Sequence, residues 1–478
     1  MNSSKSIKTQ AIEEAEKQLV KDNLNHVIIL CEKCIEQYQD NNEFKRILAF
    51  ALFKKEINDK CLTLLEEIPE DNDSAKLKAI LYAKKGETEK ADDLFNRLMK
   101  NDPENVSLLT DYAYYKKVTE QFNVAEKCLK KAITIEPKHQ EGIKQLGGLY
   151  SELNQFDKAE KLFRDLVNIE DNNDNKLDLS INLLCQGKWK EGLEKYESRL
   201  DCSIPIRYQD KIDKTRLWKG ESLENKKILV FGEQGIGDII NFYRFSLFLN
   251  GKVQVMIPPS ISKIFKRTEN ISFSEEVGEY DYCCSMMSLP YILNMSQEQV
   301  TNTFYPYVYT DKKIDLPQGF NIGICWAGNP QHVRDRYRSC RLKEFEILKD
   351  LPVNLFSLQQ ELKHRKWAFY KETVDLSEGY NGKPLYNVTE YMNSWSNTLA
   401  IINELDLVIT IDTSIAHLSG AVGKDTLLLL PYSSDWRWFG KGDETIWYPS
   451  IRLIKQDSMH NWSGCFSEVL NQVTCGIP

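Results

Sequence analysis

With 478 residues the chain is too long for one hydrophobic core and is expected to divide into two to four domains. Its composition, 42% hydrophobic and 28% charged, is that of a globular protein, and no apolar run approaches the roughly 18 residues that a membrane-spanning helix requires. A net charge of −8 argues against the broad basic surface that nucleic-acid backbones reward, so no nucleic-acid partner is expected.

The opening stretch, MNSSKSIKTQAIEEAEKQ, is polar and lacks the apolar core of a secretory signal, which makes the cytoplasm the expected compartment. Twelve cysteines are scattered without framework spacing and are read as reduced core residues. Cys31 and Cys34 form a lone CxxC on a helical pattern and are read the same way.

The first two hundred residues repeat. Ala91, Ala125 and Ala159 stand 34 residues apart, and Phe95, Leu129 and Phe163, then Leu98, Ala132 and Leu166, keep the register. Pro103 and Pro137 close two of the units, while Ala79, Ala113 and Gly147 recur upstream in the same frame. Small residues at two helix contacts with this period resemble the tetratricopeptide (TPR) repeat, a helix-turn-helix unit that stacks into a solenoid. Weaker copies at Val27–Cys34, Cys61–Ile68 and Trp189–Arg199 bring the expectation to about six units over residues 8–200. Such a solenoid has a concave face suited to an extended peptide or a partner helix, although it can equally serve only to hold the chain together.

Residues 201–226 are mixed and polar and read as a linker. Lys227–Phe231 then reads as a buried strand, followed by the glycine-rich turn Gly232-Glu-Gln-Gly235-Ile-Gly237-Asp238 and a helical run over Ile239–Leu249. The turn lacks both the GxGxxG spacing and a P-loop lysine. Its glycines let a substrate approach the backbone, and Asp238 in the first helical turn suits either a general base for an acceptor hydroxyl or an ordinary helix-start acid. Further strands are expected at Val253–Ile257, around Tyr280–Cys284 and at Tyr307–Thr310, which makes a small sheet.

A second α/β unit begins with the strand Asn321–Trp326. The loop after it carries Gly328, Asn329 and Pro330 and then Arg334, Arg336, Arg338 and Arg341, with Ser339 between them. Guanidinium forks bind phosphate oxygens two at a time, so this loop is a candidate diphosphate clamp, with a solvated basic loop as the alternative. Strand Asn354–Leu358 leads to Gln359, and helix Ser396–Glu404 leads to a β-branched strand over Leu405–Ile411. Asp412, Thr413 and Ser414 follow with side chains suited to capping a helix, and His417 lies one turn inside it. A strand-to-helix junction of this kind turns the positive end of a helix toward the crevice beyond the strand, where phosphate is favoured. Strand Thr426–Leu430 precedes the loop Pro431–Trp438, whose two tryptophans and arginine suit stacking on a base or sugar, or folding over the sheet. Strand Arg452–Ile454 and an amphipathic stretch over Asn461–Val473 end the chain.

Together the segments WKEGLEKYESRL, LWKGESL, GEQGIGD, CWAGNPQHVRDRYRS, FSLQ, DLVITIDTSIAHLSGA and LLLPYSSDWRW with WYPSIRL run in order from about residue 187 to 456. They resemble TPR proteins carrying a carboxyl-terminal domain related to glycosyltransferase family 9, the ADP-heptose lipopolysaccharide heptosyltransferases. The resemblance implies an α plus α/β chain: a TPR solenoid (1–200), a linker (201–226) and a GT-B pair of Rossmann-like domains with parallel sheets. The first of these (227–318) is small and lies on the acceptor side, and the second (319–478) on the nucleotide-sugar side.

It also implies a metal-independent, inverting transfer with no cofactor beyond the nucleotide-sugar donor. Asp238 aligns with the acid proposed as base. Gly235, Gly237, Asn329, Arg336, Arg338, Ser339, Gln359, Asp412, Thr413, Ser414 and His417 fall in the donor and phosphate motifs. The first unit is shorter than in the heptosyltransferases, so heptose is not implied. The glutamate-bearing loop expected after FSLQ reads Gln360-Glu361-Leu362. The expected activity is glycosyl transfer to a hydroxyl on a protein, such as flagellin or a surface protein, recruited by the solenoid. The alternatives are a cell-surface polysaccharide transferase and a TPR scaffold with a silent transferase fold.

Overall fold

The 34-residue spacing is realised as helix pairs. The computed structural model describes residues 7–39, 41–202, 207–332, 334–360, 385–439 and 442–476, and among these twelve helices run in succession from Ile7–Val20 to Trp189–Tyr196. The recurring alanines at 79, 91, 113, 125 and 159 have no solvent exposure, which is why only a small side chain recurs there. Local chemistry sets the helix ends. Asp71 accepts the Ser74 N–H at 2.8 Å while Ser74 Oγ accepts the Asp71 N–H at 2.8 Å, closing a capping box, and Gly86 ends the same helix with φ +79°.

The chain forms two compact units, residues up to Leu149 and from Tyr150 on. This division falls inside the repeat region, not at its end. In the second unit, Leu184, Trp189, Leu193 and Tyr196 of the last helix pair belong to the same hydrophobic cluster as the α/β strands.

Two parallel sheets follow. The first contains β1 (Lys227–Phe231), β2 (Lys252–Met256), β3 (Ile271–Phe273) and β4 (Tyr282–Ser285) in the order β3-β2-β1-β4. The expected strand at Tyr307–Thr310 does not form; Val308 makes only an isolated antiparallel bridge to Phe265. The Lys266 N–H to Tyr307 carbonyl bond at 2.9 Å belongs to that bridge, but the Tyr307 N–H is drawn to the Ala421 carbonyl at 3.3 Å and the pairing does not extend into a ladder. The second sheet contains β5 (Phe320–Cys325), β6 (Val353–Ser357), β7 (Leu385–Asn387), β8 (Leu407–Ile411), β9 (Thr426–Leu430) and β10 (Ile451–Lys455). Its order, β10-β9-β8-β5-β6-β7, is Rossmann-like: the chain steps outward from β5 to β7, returns, and steps outward again from β8 to β10.

Alternation along the strands divides the core. Ile228 and Val230 face the large shared cluster, whereas Leu229 and Phe231 meet Tyr208, Ile212 and Leu217 on the other face. In the second sheet Val408, Leu428 and Leu430 join the shared cluster, while Ile409, Ile411, Leu427 and Leu429 pack with Phe466 and Val469 of the terminal helix Ser463–Gly476. The helix after β1, Ile236–Ser246, packs against the helix after β8, Ser414–Val422. That contact brings the carboxyl edges of the two sheets together.

Candidate functional site

In a parallel sheet the crevice opens where neighbouring strands send their connections to opposite sides, which here is between β5 and β8. Trp326, Ala327 and Gly328 leave β5 at this point, and Asp412, Thr413 and Ser414 leave β8. Thr413 is the residue that caps the second helix, its Oγ1 accepting the Ile415 N–H at 3.3 Å, so the cap lies one residue beyond Asp412. Arg338 Nη1 donates to the Asp412 carbonyl at 2.9 Å and clamps the arginine loop onto the junction.

Several expected ligands act as struts within this loop. Gln359 Oε1 accepts the N–H groups of Trp326 (3.3 Å) and Ala327 (2.9 Å), and Ser339 Oγ accepts the Gly328 N–H at 3.0 Å and donates to Asp335 at 3.0 Å. Gly328 is required by this packing: a Cβ there would lie 2.5 Å from Asp335 Oδ1 and 2.6 Å from Arg338 Nη2. Asn329 turns its own loop, accepting the Gln331 N–H at 3.0 Å. Arg336 lies over the Tyr337 ring, 4.4 Å from its centroid. Glu361 and Leu362 of the expected glutamate-bearing loop lie outside the described residues.

The first sheet has its own switch point between β1 and β4. Gly235 caps the helix Ile236–Ser246, and Asp238 Oδ2 accepts the Gly235 N–H at 3.1 Å. Gly237 meets the ring of His417, where a Cβ would lie 2.7 Å from Cδ2. The two helix starts are thus adjacent, and Asp238 and His417 belong to one cluster.

That cluster is completed by the loop after β9, the principal feature that sequence reasoning missed. Arg437 Nε donates to Asp238 Oδ1 at 2.6 Å, Nη1 to Asp435 at 2.8 Å and Nη2 to Gln234 Oε1 at 3.0 Å. Trp436 and Trp438 are buried, so of the two roles open to this loop the structure displays folding over the sheet. The sequence signal was the Asp-Trp-Arg-Trp run itself, but nothing local pairs it with an acid 199 residues away.

Electrostatics follow from burial. His417, stacked on Trp438 with centroids 4.9 Å apart and bonded through Nδ1 to the Tyr448 hydroxyl at 3.1 Å, is pushed down to about 4 by burial and is a neutral imidazole. Burial, reinforced by the charge of Asp435, raises Asp412. Burial also acts to raise Asp435, but the Arg437 charge and backbone N–H hold it below the usual carboxylate range.

Behind the glycine turn lies a second buried network. Arg199, from the turn after the last repeat helix, donates through Nε to Glu233 at 2.6 Å and through Nη2 to Ser285 (3.2 Å) and Ser288 (2.8 Å). It therefore fills the first switch point with the chain's own cation. Tyr196 continues the network, its hydroxyl accepting from Gln234 Nε2 at 3.0 Å. Among the described residues no group of three or more His, Cys, Asp or Glu side chains is placed to hold a metal ion, and no helix is long and apolar enough to cross a membrane.

Residues 79–190 match the family model described as the middle TPR-like domain of cilia and flagella-associated protein 70. Protein FlbA of Caulobacter vibrioides is 24% identical over 328 residues, covering 60% of this chain; the chain spans about half, 52%, of that relative's length. Among solved structures, a thermophilic TPR protein of Thermus thermophilus is 21% identical, covering 34% of this chain and 91% of its own, with a TM-score of 0.30. The PilF protein of Pseudomonas aeruginosa is 13% identical, covering 43% of this chain and 84% of its own, with a TM-score of 0.32. The chain thus carries a TPR-like helical region in its N-terminal part, followed by a parallel-sheet α/β region.

Proposed function

We propose that the α/β region is a GT-B glycosyltransferase that moves a sugar from a nucleotide-sugar donor to a hydroxyl of a protein bound by the TPR-like helices. The observation that carries this reading is the convergence of Asp238 with the helix start at Thr413–His417 at the adjoining carboxyl edges of two parallel sheets. Departure of a nucleoside diphosphate builds negative charge, which a helix start and the guanidinium of Arg338 stabilise. A carboxylate at the facing helix start is suited to take the proton of the attacking hydroxyl. Neutral His417 offers a donor or acceptor beside the same anion without adding charge.

A second reading, a TPR scaffold whose transferase fold is silent, is favoured by the internal bonding of Gln359, Ser339 and Arg338. Thermal-shift measurements on the full chain against ADP, UDP, GDP and CDP separate the two. Binding to the native state raises stability by about 2.7 kcal/mol at a hundred times Kd, so one nucleotide is expected to raise Tm by several degrees. Absence of a shift with every nucleotide supports the scaffold.

A further inference from the structure

We propose that Arg437 is an exchangeable counter-ion: it neutralises Asp238 while the site is empty and moves to the diphosphate when a donor binds. The proposal rests on the transferase reading and concerns how its base is released.

Both Asp238 oxygens are engaged. Oδ2 caps the Gly235 N–H and Oδ1 receives Arg437 Nε at 2.6 Å. A guanidinium on Oδ1 draws charge from that oxygen and makes it a poorer proton acceptor, so Oδ1 takes a hydroxyl proton best once the guanidinium withdraws. Oδ2 can stay on the helix start throughout, so release requires movement of one side chain and no change of backbone.

The guanidinium has reason to leave. Its other two partners are Asp435 and Gln234, and its face rests on Trp436, 4.7 Å from the ring centroid. Asp435 also accepts the Arg437 backbone N–H at 3.0 Å and stays in place while the guanidinium turns. An incoming diphosphate at the Ser414 helix start adds negative charge beside a guanidinium whose fork matches phosphate oxygens better than a single carboxylate oxygen. The same interaction that binds the donor thereby uncovers the base. Hydroxyl activation in the absence of donor is suppressed, because the acid is then occupied.

This arrangement makes Asp238 and the anion competitors for one cation, and competition is reciprocal. Loosening the hold on Arg437 without changing charge must tighten anion binding. Gln234→Met removes one partner of Arg437 and leaves every charge in place. Titration calorimetry of the full chain with inorganic pyrophosphate is expected to give a several-fold lower Kd for Q234M than for the unaltered protein. Asp238→Asn should lower Kd about tenfold, within the usual span of couplings between sites. Arg437→Gln should raise it by at least as much, and Arg437→Gln combined with Asp238→Asn should behave like Arg437→Gln alone.

If the unaltered protein binds pyrophosphate and Q234M, folded by circular dichroism, binds it no more tightly, the exchange is refuted and the transferase reading survives. Should D238N not fold, Q234M and R437Q decide the matter between them. If none of the variants nor the unaltered protein binds pyrophosphate at millimolar concentration, the transferase reading falls, and the exchange with it.

Discussion

His417 has a ring with no room to move: Trp438 covers one face, Tyr448 holds Nδ1, and Gly237 leaves space only because it has no Cβ. Gly237→Ala is therefore expected to lower stability by about 1–3 kcal/mol, measured by urea unfolding, since a new methyl group must displace a packed ring. A neutral loss would mean that the ring yields freely. The same confinement predicts a pH effect. The imidazole takes a proton near 6.5 when unfolded but only near 4 when folded. Protonation then favours the unfolded chain, so stability is complete above about pH 6.5 and declines as pH falls toward 4, by up to about 3 kcal/mol. His417→Gln should flatten that slope; an unchanged slope would assign the acid sensitivity to other groups. Asp238 and His417 stood out in the sequence because each lies in the first turn or so of a helix that follows an apolar strand. Arg437 was legible only as a loop cation, since two of its partners, Asp238 and Gln234, come from a distant strand connection and no spacing rule links the two.

At the scale of elements, strands covered on both faces were the readable ones: β1, β8 and β9 are made mostly of Ile, Leu and Val, and β5 is buried from Asn321 to Cys325. β3 and β7, with three residues each, are too short to carry a period. The buried pair of Arg199 and Glu233 was invisible for another reason: it joins the end of the repeat pattern to the glycine turn, two segments that read as separate domains. Burial raises Glu233, and the Arg199 charge and hydrogen bond, with a smaller contribution from a Ser285 hydrogen bond, oppose it. Arg199→Met leaves that acid without its cation and should destabilise the α/β region by about 3–5 kcal/mol in denaturant. Combining it with Glu233→Met should recover most of the loss. Failure to recover would mean that Arg199 contributes chiefly through Ser285, Ser288 and the Tyr196 ring.

For the whole molecule, the division at Leu149 and Tyr150 predicts how the chain comes apart. Each unit has its own hydrophobic clusters, one set built around Phe44, Phe95 and Tyr112 and the other around the strands. Calorimetry is expected to resolve two transitions. Phe95→Ala, worth about 3–5 kcal/mol for a buried ring, should lower one of them and leave the other in place. A single transition that moves as a whole would show the units to be one cooperative body. Twelve successive helices run over the repeat region, and the helical period was legible as far as Arg199. The compactness boundary was not, because Trp189 and Tyr196 satisfy the repeat pattern and pack into the neighbouring core with the same apolar faces.

The cation at 199 has a practical corollary. A shortened protein begun at residue 201, where the repetitive pattern ends, would carry an orphaned acid at 233 and a hole lined by two serines beside β4. Truncation intended to isolate the α/β half must begin no later than Tyr150, so the final helix pairs travel with the half they complete.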